Sequence, residues 1–269
     1  MSFEKEVEVA REAARRAGEL ALRYRRGNLD FEAKPDNSPV TIADRDAERL
    51  IASALAGAFP GDGVLGEEGA RGEASSGRRW IVDPIDGTRD YVRGSPSWAV
   101  LIGLEVNNEV VAGVCEMPAL GMTFTASSGD GAWMNGSRLR VSSVASPSEA
   151  VLCVNSLTSY HLSEYRDSLL EWISRFWTVR SMGGCLDAML VAQGQADAWI
   201  DPSAAPWDLA ALKIIIEEAG GRLLDFHGTP TIYGGNAVAC VPALEADLLA
   251  YVSAHVVAGK QSAAKQHPI

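Results

Sequence analysis

The chain has 269 residues, 47% hydrophobic and 22% charged, with a net charge of −11; this describes a globular protein large enough for a sizeable core. The negative balance argues against nucleic acid, whose binding needs a basic face, and the longest apolar stretches, such as Trp98 to Leu104, are far too short to span a bilayer. The opening Met-Ser-Phe-Glu-Lys-Glu lacks the apolar core of a signal peptide, which makes the cytoplasm the expected compartment. Cys115, Cys153, Cys185 and Cys240 form no CxxC pair, so reduced, buried thiols are expected rather than a zinc site or a disulfide framework.

Val7, Ala10, Ala14, Ala17 and Leu20 recur at helical spacing within residues 4–25. Asp36-Asn-Ser-Pro39 reads as a loop. Thr41 reads as the N-cap of a second helix, with Asp44 three residues on in a capping-box pattern, and Pro60-Gly-Asp-Gly63 ends that helix. Val64 to Glu68 is a short strand ending in acids, and Trp80 to Asp83 is another. Trp98 to Val106 and Val110 to Glu116 form a hairpin across Asn107-Asn108. Strands follow at 123–126 and 132–134, then a polar, Ser-rich junction from Arg138 to Ser148. Beyond it strands at 151–154, 177–180 and 196–200 alternate with helices at 161–176, 186–193 and 207–219. Strands at 221–225 and 238–241 and a helix from Leu244 to His255 close the pattern, which is that of an α/β unit. The expected organisation is an N-terminal half over 1–145, a C-terminal half over 146–258 and a flexible tail over 259–269.

Trp80-Ile-Val-Asp-Pro-Ile-Asp-Gly-Thr88 carries the most chemical information. An apolar strand runs into Asp83 and Asp86, Pro84 stiffens the turn between them, and Gly87-Thr88 opens a helix. Two carboxylates at the end of a buried strand repel each other and lose hydration, so they stay ionised only if a cation holds them. A helix start offers N–H groups and a positive dipole end to a phosphate. A hard divalent metal beside a phosphate cradle is the layout of a phosphoryl-transfer site, and such metals also reverse the repulsion that a net charge of −11 imposes on an anionic substrate. Phosphatases that use an aspartate nucleophile carry D-x-D-G-T after an opening strand. Here the acids are spaced i, i+3, and no such strand lies near the N-terminus.

Four segments appear in order: Lys34-Pro-Asp-Asn-Ser-Pro-Val-Thr-Ile-Ala-Asp44, Gly66-Glu-Glu68, Asp83-Pro-Ile-Asp-Gly-Thr88, and Trp207-Asp-Leu-Ala-Ala211 followed by Glu218-Ala-Gly-Gly221. In these the chain resembles the inositol monophosphatase family of magnesium-dependent phosphatases, over nearly its whole length. The resemblance implies an α/β (α+β) fold, a layered αβαβα sandwich with two to three Mg²⁺ ions between the halves. It assigns Glu67, Asp83 and the Ile85 carbonyl to one metal, Asp83, Asp86 and Asp208 to a second, and Glu67 to the placing of a third. Gly87 and Thr88 would bind the phosphate, Asp44 would pair with the Thr88 hydroxyl, and Thr88 and Glu67 would orient and deprotonate the attacking water. Glu68 would stand behind these groups, and Lys34 sits on a loop that could close over the site.

Tyr91-Val-Arg-Gly-Ser-Pro-Ser-Trp98, Gly183-Gly-Cys-Leu-Asp187, Pro206-Trp-Asp208 and Gly234-Gly-Asn236 look closer to the histidinol-phosphate phosphatase branch than to inositol phosphatases proper. The resemblance therefore implies a phosphomonoesterase acting on a small metabolite, histidinol phosphate first and inositol 1-phosphate second, with a non-catalytic regulator on the same fold as the alternative. Asp201, Asp187, Gly184 and Cys185 are the expected substrate-binding residues, the acids suiting an amine and an imidazole. A homodimer is expected from the family alone, with core packing the expected role for most of Trp98, Trp133, Trp172 and Trp177. His161 and His227 are expected at the surface, since Mg²⁺ prefers oxygen ligands.

Overall fold

The computed structural model describes residues 2–26, 31–33, 39–161 and 165–263. In chain order the first half contains α1 (Glu4–Arg25), β1 (Phe31–Ala33), β2 (Pro39–Thr41), α2 (Ile42–Ala58), β3 (Gly63–Gly66), β4 (Arg71–Gly72), β5 (Arg78–Asp86), α3 (Thr88–Arg93), β6 (Ala99–Val106), β7 (Glu109–Met117), β8 (Met122–Ser127), β9 (Gly131–Met134) and β10 (Ser137–Arg138). The second contains β11 (Val151–Val154), α4 (Leu157–His161), α5 (Leu169–Ile173), β12 (Thr178–Arg180), α6 (Gly184–Ala192), β13 (Ala198–Asp201), α7 (Pro206–Glu218), β14 (Arg222–Leu224), β15 (Ala237–Cys240) and α8 (Glu245–Ala263).

β1 and β2 pair only with each other, antiparallel, and two larger sheets organise the remaining strands. The larger has eight strands in the order β10-β9-β8-β7-β6-β5-β3-β4, with β3 parallel to β5 and its other pairs antiparallel. The smaller has the order β12-β11-β13-β15-β14, with β11 parallel to both of its neighbours. α1 and α2 cover one face of the large sheet through Ala14, Ala17, Ala47, Ile51 and Leu55. α6 and α7 lie between the two sheets, and Tyr165, Trp172 and the start of α8 cover the far face of the small one. The layers are αβαβα, as the resemblance implies. The four cysteines are buried and unpaired. Among the described residues no helix is long and apolar enough to cross a membrane.

Three local departures have physical causes. The helix expected over 161–176 is replaced by α4 and α5, two five-residue helices. Tyr165 instead donates its hydroxyl to the Val252 carbonyl at 2.9 Å, and Trp172 stacks on Tyr251 at 4.0 Å, so tertiary packing overrides helical spacing. The closing helix continues past His255 to Ala263, into the expected tail. The strand expected over 80–83 runs from Arg78 to Asp86, with its register shifting between Asp83 and Asp86. Pro84 has no N–H to give the ladder, so the strand bulges there.

α7 sits directly on the large sheet because Gly103 and Gly113 face each other across β6 and β7. A Cβ at Gly103 would lie 2.6 Å from the Ala210 Cβ, and one at Gly113 would lie 3.0 Å from the Ala211 Cα. At its far end α7 is tied down by Glu218, whose carboxylate accepts the Gly129 and Gly131 N–H groups, each at 2.8 Å. Gly103→Val should therefore lower stability by about 1–3 kcal/mol in urea unfolding, as overpacking does; a variant as stable as the parent would show that α7 does not seat on this glycine pair.

Candidate active site

In a flat strand Asp83 and Asp86, an odd number of positions apart, would point to opposite faces. The bulge at Pro84 and Ile85 cancels that offset. Asp83, Asp86 and Asp208 each place one carboxylate oxygen so that all three lie within 4.8 Å of one another. The Ile85 N–H donates to Asp83 Oδ1 at 2.9 Å and fixes that carboxylate in an Asx turn. The Cys185 N–H, in the first turn of α6, reaches Asp86 Oδ2 at 3.2 Å. Gly87 then turns the chain with φ 81°, and a Cβ there would meet the Ser97 carbonyl oxygen at 2.9 Å, so the position admits only glycine.

Asp44 and Asp208 enter from the first turns of α2 and α7. Each uses its Oδ2 to hold its own helix start: Asp44 accepts the Thr41 N–H at 2.8 Å, and Asp208 accepts the Ala205 N–H at 2.7 Å. The Thr88 hydroxyl lies 3.3 Å from Asp44 Oδ1 and 3.0 Å from the Ile85 carbonyl oxygen, either of which can accept its proton. Glu67 follows the end of β3, its N–H donating to the Val82 carbonyl at 3.1 Å, which sets it beside β5.

Glu67, Asp83, Ile85, Asp86, Gly87, Thr88 and Asp208 line a cavity of about 490 Å³ with Gly184, Cys185, Asp201, Asn155, Ser156 and Trp207, while Asp44 is fully buried behind Thr88. Asp201 is 5% exposed and already engaged, accepting Asn155 Nδ2 at 2.6 Å and the Ser203 N–H at 3.1 Å. Asp187, expected at the substrate, is instead fully buried and accepts the Met182 N–H at 3.0 Å and the Gly183 N–H at 3.4 Å, so it holds the turn that leads into α6 and does not line the cavity. Lys34 lies outside the described residues. Asp90, Asn155 and Ser156 also line the cavity, beyond the residues that the sequence motifs assign to it. Asp90 follows Asp86 by four residues, a spacing that could have flagged it; Asn155 and Ser156 sit after an ordinary apolar strand and give no comparable signal.

Burial dominates the electrostatics. It pushes Asp208 up to about 8 and Asp86 up to about 6, and it holds Asp83 well above the usual carboxylate range, with neighbouring carboxylates adding to each shift. Asp44 rises to about 6, again mainly by burial, against the pull of its hydrogen bonds from Thr41. Arg89 is the one cationic residue among the cavity's described lining. An all-oxygen cluster that resists ionisation in the absence of a nearby positive charge fits a hard divalent cation, for which Glu67, Asp83, Asp86, Asp208 and the Ile85 carbonyl are the available donors.

Residues 3–257 match the model of the inositol monophosphatase family. A histidinol-phosphatase of Mycobacterium tuberculosis is 42% identical over 248 residues, covering 90% of this chain and 95% of that protein. One of Chlorobaculum parvum is 40% identical over 235 residues, covering 87% and 90%. Among solved structures, an IMPase of Thermotoga maritima superposes with a TM-score of 0.84 at 31% identity, covering 94% of this chain and 98% of that one. The αβαβα layers, the clustered carboxylates and these similarities together establish that the chain belongs to the inositol monophosphatase family of phosphoric monoester hydrolases, a family that is generally Mg²⁺-dependent.

Proposed function

We propose that the chain hydrolyses histidinol phosphate to histidinol and phosphate. The observation that carries this reading is the identity of 40–42% with two histidinol-phosphatases over most of the chain. It is supported by the acids Asp90 and Asp201 in the cavity wall, since a leaving group with an amine and an imidazole is cationic and meets complementary charge there. Inositol 1-phosphate is the second reading, because the family and the cavity's hydrogen-bonding groups suit a polyol equally well.

Glu67, Asp83 and the Ile85 carbonyl would hold one Mg²⁺, Asp83, Asp86 and Asp208 a second, and Glu67 would help place a third. Bound there, the ions supply positive charge to the phosphate, to an attacking water and to the leaving oxygen. Gly87 and Thr88 offer first-turn N–H groups to the phosphate. The Thr88 hydroxyl, with Asp44 Oδ1 beside it, orients the attacking water, and Glu67 takes up its proton. Glu68 lies behind this arrangement. Gly184 and Cys185 form the wall against the leaving group, with the Cys185 N–H also aiming Asp86. No covalent phospho-enzyme is needed.

The same reading places the enzyme in the cytoplasm, divides the chain into halves at about residue 145, and makes it a homodimer. Trp98 and Trp172 are buried and Trp133 is half-buried, which leaves Trp177, 71% exposed beside the edge strand β12, as the tryptophan best placed for contact with a second copy.

Phosphate release measured on histidinol phosphate and on inositol 1-phosphate should show a large kcat/KM preference for the former, abolished by EDTA. The reverse preference would keep the mechanism and change the substrate, whereas no release from either would favour a regulator. Thr88→Ala should cut kcat about 100-fold or more while leaving the half-activating Mg²⁺ concentration nearly unchanged; a parallel loss of metal affinity would contradict its role at the water. The clustered carboxyls keep their protons to higher pH when folded than when unfolded. The ion-free protein should therefore lose stability as pH rises from about 5 to about 8. Melting curves should show a gap between Mg²⁺ and EDTA samples that widens with pH, and a constant gap would refute the cluster as the ion site.

A further inference from the structure

Glu67 differs from the other proposed ligands in having no regular element under its side chain. Asp83 and Asp86 stand on β5 and Asp208 on α7, whereas Glu67 begins the turn that leaves β3. It is also outside the trio whose oxygens already lie within 4.8 Å of one another. Its position depends on what holds residues 66–70.

That turn is gripped from both sides. Glu48, on α2 one turn beyond Asp44 and 4% exposed, accepts the Glu68 N–H on Oε2 at 2.8 Å and the Ala70 N–H on Oε1 at 2.7 Å. Arg71 donates from Nη1 to the Gly66 carbonyl and to the Ala70 carbonyl, the latter at 2.8 Å. The Gly66 N–H closes the turn onto the Ala70 carbonyl at 2.9 Å. Gly66 has no positive φ to require glycine, yet a Cβ there would sit 2.2 Å from Glu48 Oε2. The glycine of Gly66-Glu-Glu68 is therefore explained by the carboxylate pressed against it.

We propose that Glu48 is a positioning residue for the metal site, fixing the turn that carries Glu67 so that the Glu67 carboxylate is aimed at the ion it shares with Asp83. Glu48 touches neither ion nor substrate in this scheme. It acts through two backbone N–H groups, as outer groups that orient metal ligands do. α2 then serves both halves of the chemistry, with Asp44 beside Thr88 and Glu48 under Glu67. The inference rests on reading Glu67 as a metal ligand.

Glu48→Gln keeps the size of the side chain but turns an NH₂ group toward one of the two N–H donors, which releases one side of the turn. The measurement is Mn²⁺ binding to the full chain, followed by electron paramagnetic resonance for wild type, Glu48→Gln, Glu67→Gln and the double variant, with melting temperatures alongside. Glu48→Gln should weaken one class of Mn²⁺ site about 10–100-fold and spare the other. The double variant should bind no more weakly than Glu67→Gln alone, because Glu48 acts only through Glu67. Unchanged Mn²⁺ affinity in Glu48→Gln, equal weakening of both classes, or losses that add in the double variant would overturn the inference. A wild-type chain that binds no Mn²⁺ would overturn it together with the metal reading, so the two failures are distinguishable.

Discussion

Gathering carboxylates where water is scarce is unfavourable, and this molecule is arranged around that cost. Asp83 is 1% exposed, and Asp86 and Asp208 stand within a few ångströms of it. Desolvation and mutual repulsion both push these groups toward protonation. Such a cluster persists only where the surrounding fold is stable enough to hold it and where a cation can relieve it. Both sheets, the middle helix layer and the helix starts contribute to that holding.

The means are ordinary secondary-structure devices used twice. Asp44 and Asp208 each cap a helix with one carboxylate oxygen, which leaves the other for the site. A capping group is rigid because the helix start needs it, so these carboxylates are oriented without further machinery. The strand bulge at Pro84 similarly ends a sheet ladder and turns two acids to one side. α7 carries Asp208 to its place because two facing glycines let it lie on the sheet and Glu218 secures its far end. Precision at the cavity therefore comes from contacts well away from it.

Much of this was legible in the sequence where one residue type has one physical reason to be present. The run from Trp80 to Thr88, the Thr41–Asp44 cap and the Pro206-Trp-Asp208 helix start stand in the structure where local chemistry put them. The convergence of Asp44, Asp83 and Asp208 was not readable from spacing, since it depends on how α2 and α7 pack against the large sheet; resemblance supplied it. Asp187 shows the opposite failure. An acid suits a leaving group that carries an amine and an imidazole, but the Asp187 carboxylate is taken up by the backbone of the preceding turn. Residues 161–176 have helical spacing, yet the hydroxyl of Tyr165 and the ring of Trp172 find better partners on α8. Asn155 and Ser156 gave no signal, because their importance lies only in what the end of β11 faces.

The central claim is that the buried acids are a divalent-cation site. The most direct test is anomalous diffraction from crystals of the full chain equilibrated with Mn²⁺. Peaks should appear between the Asp83, Asp86 and Asp208 carboxylates and between Glu67 and Asp83, inside the cavity beside Thr88. Manganese found only at surface acids, with none among these carboxylates, would contradict the account.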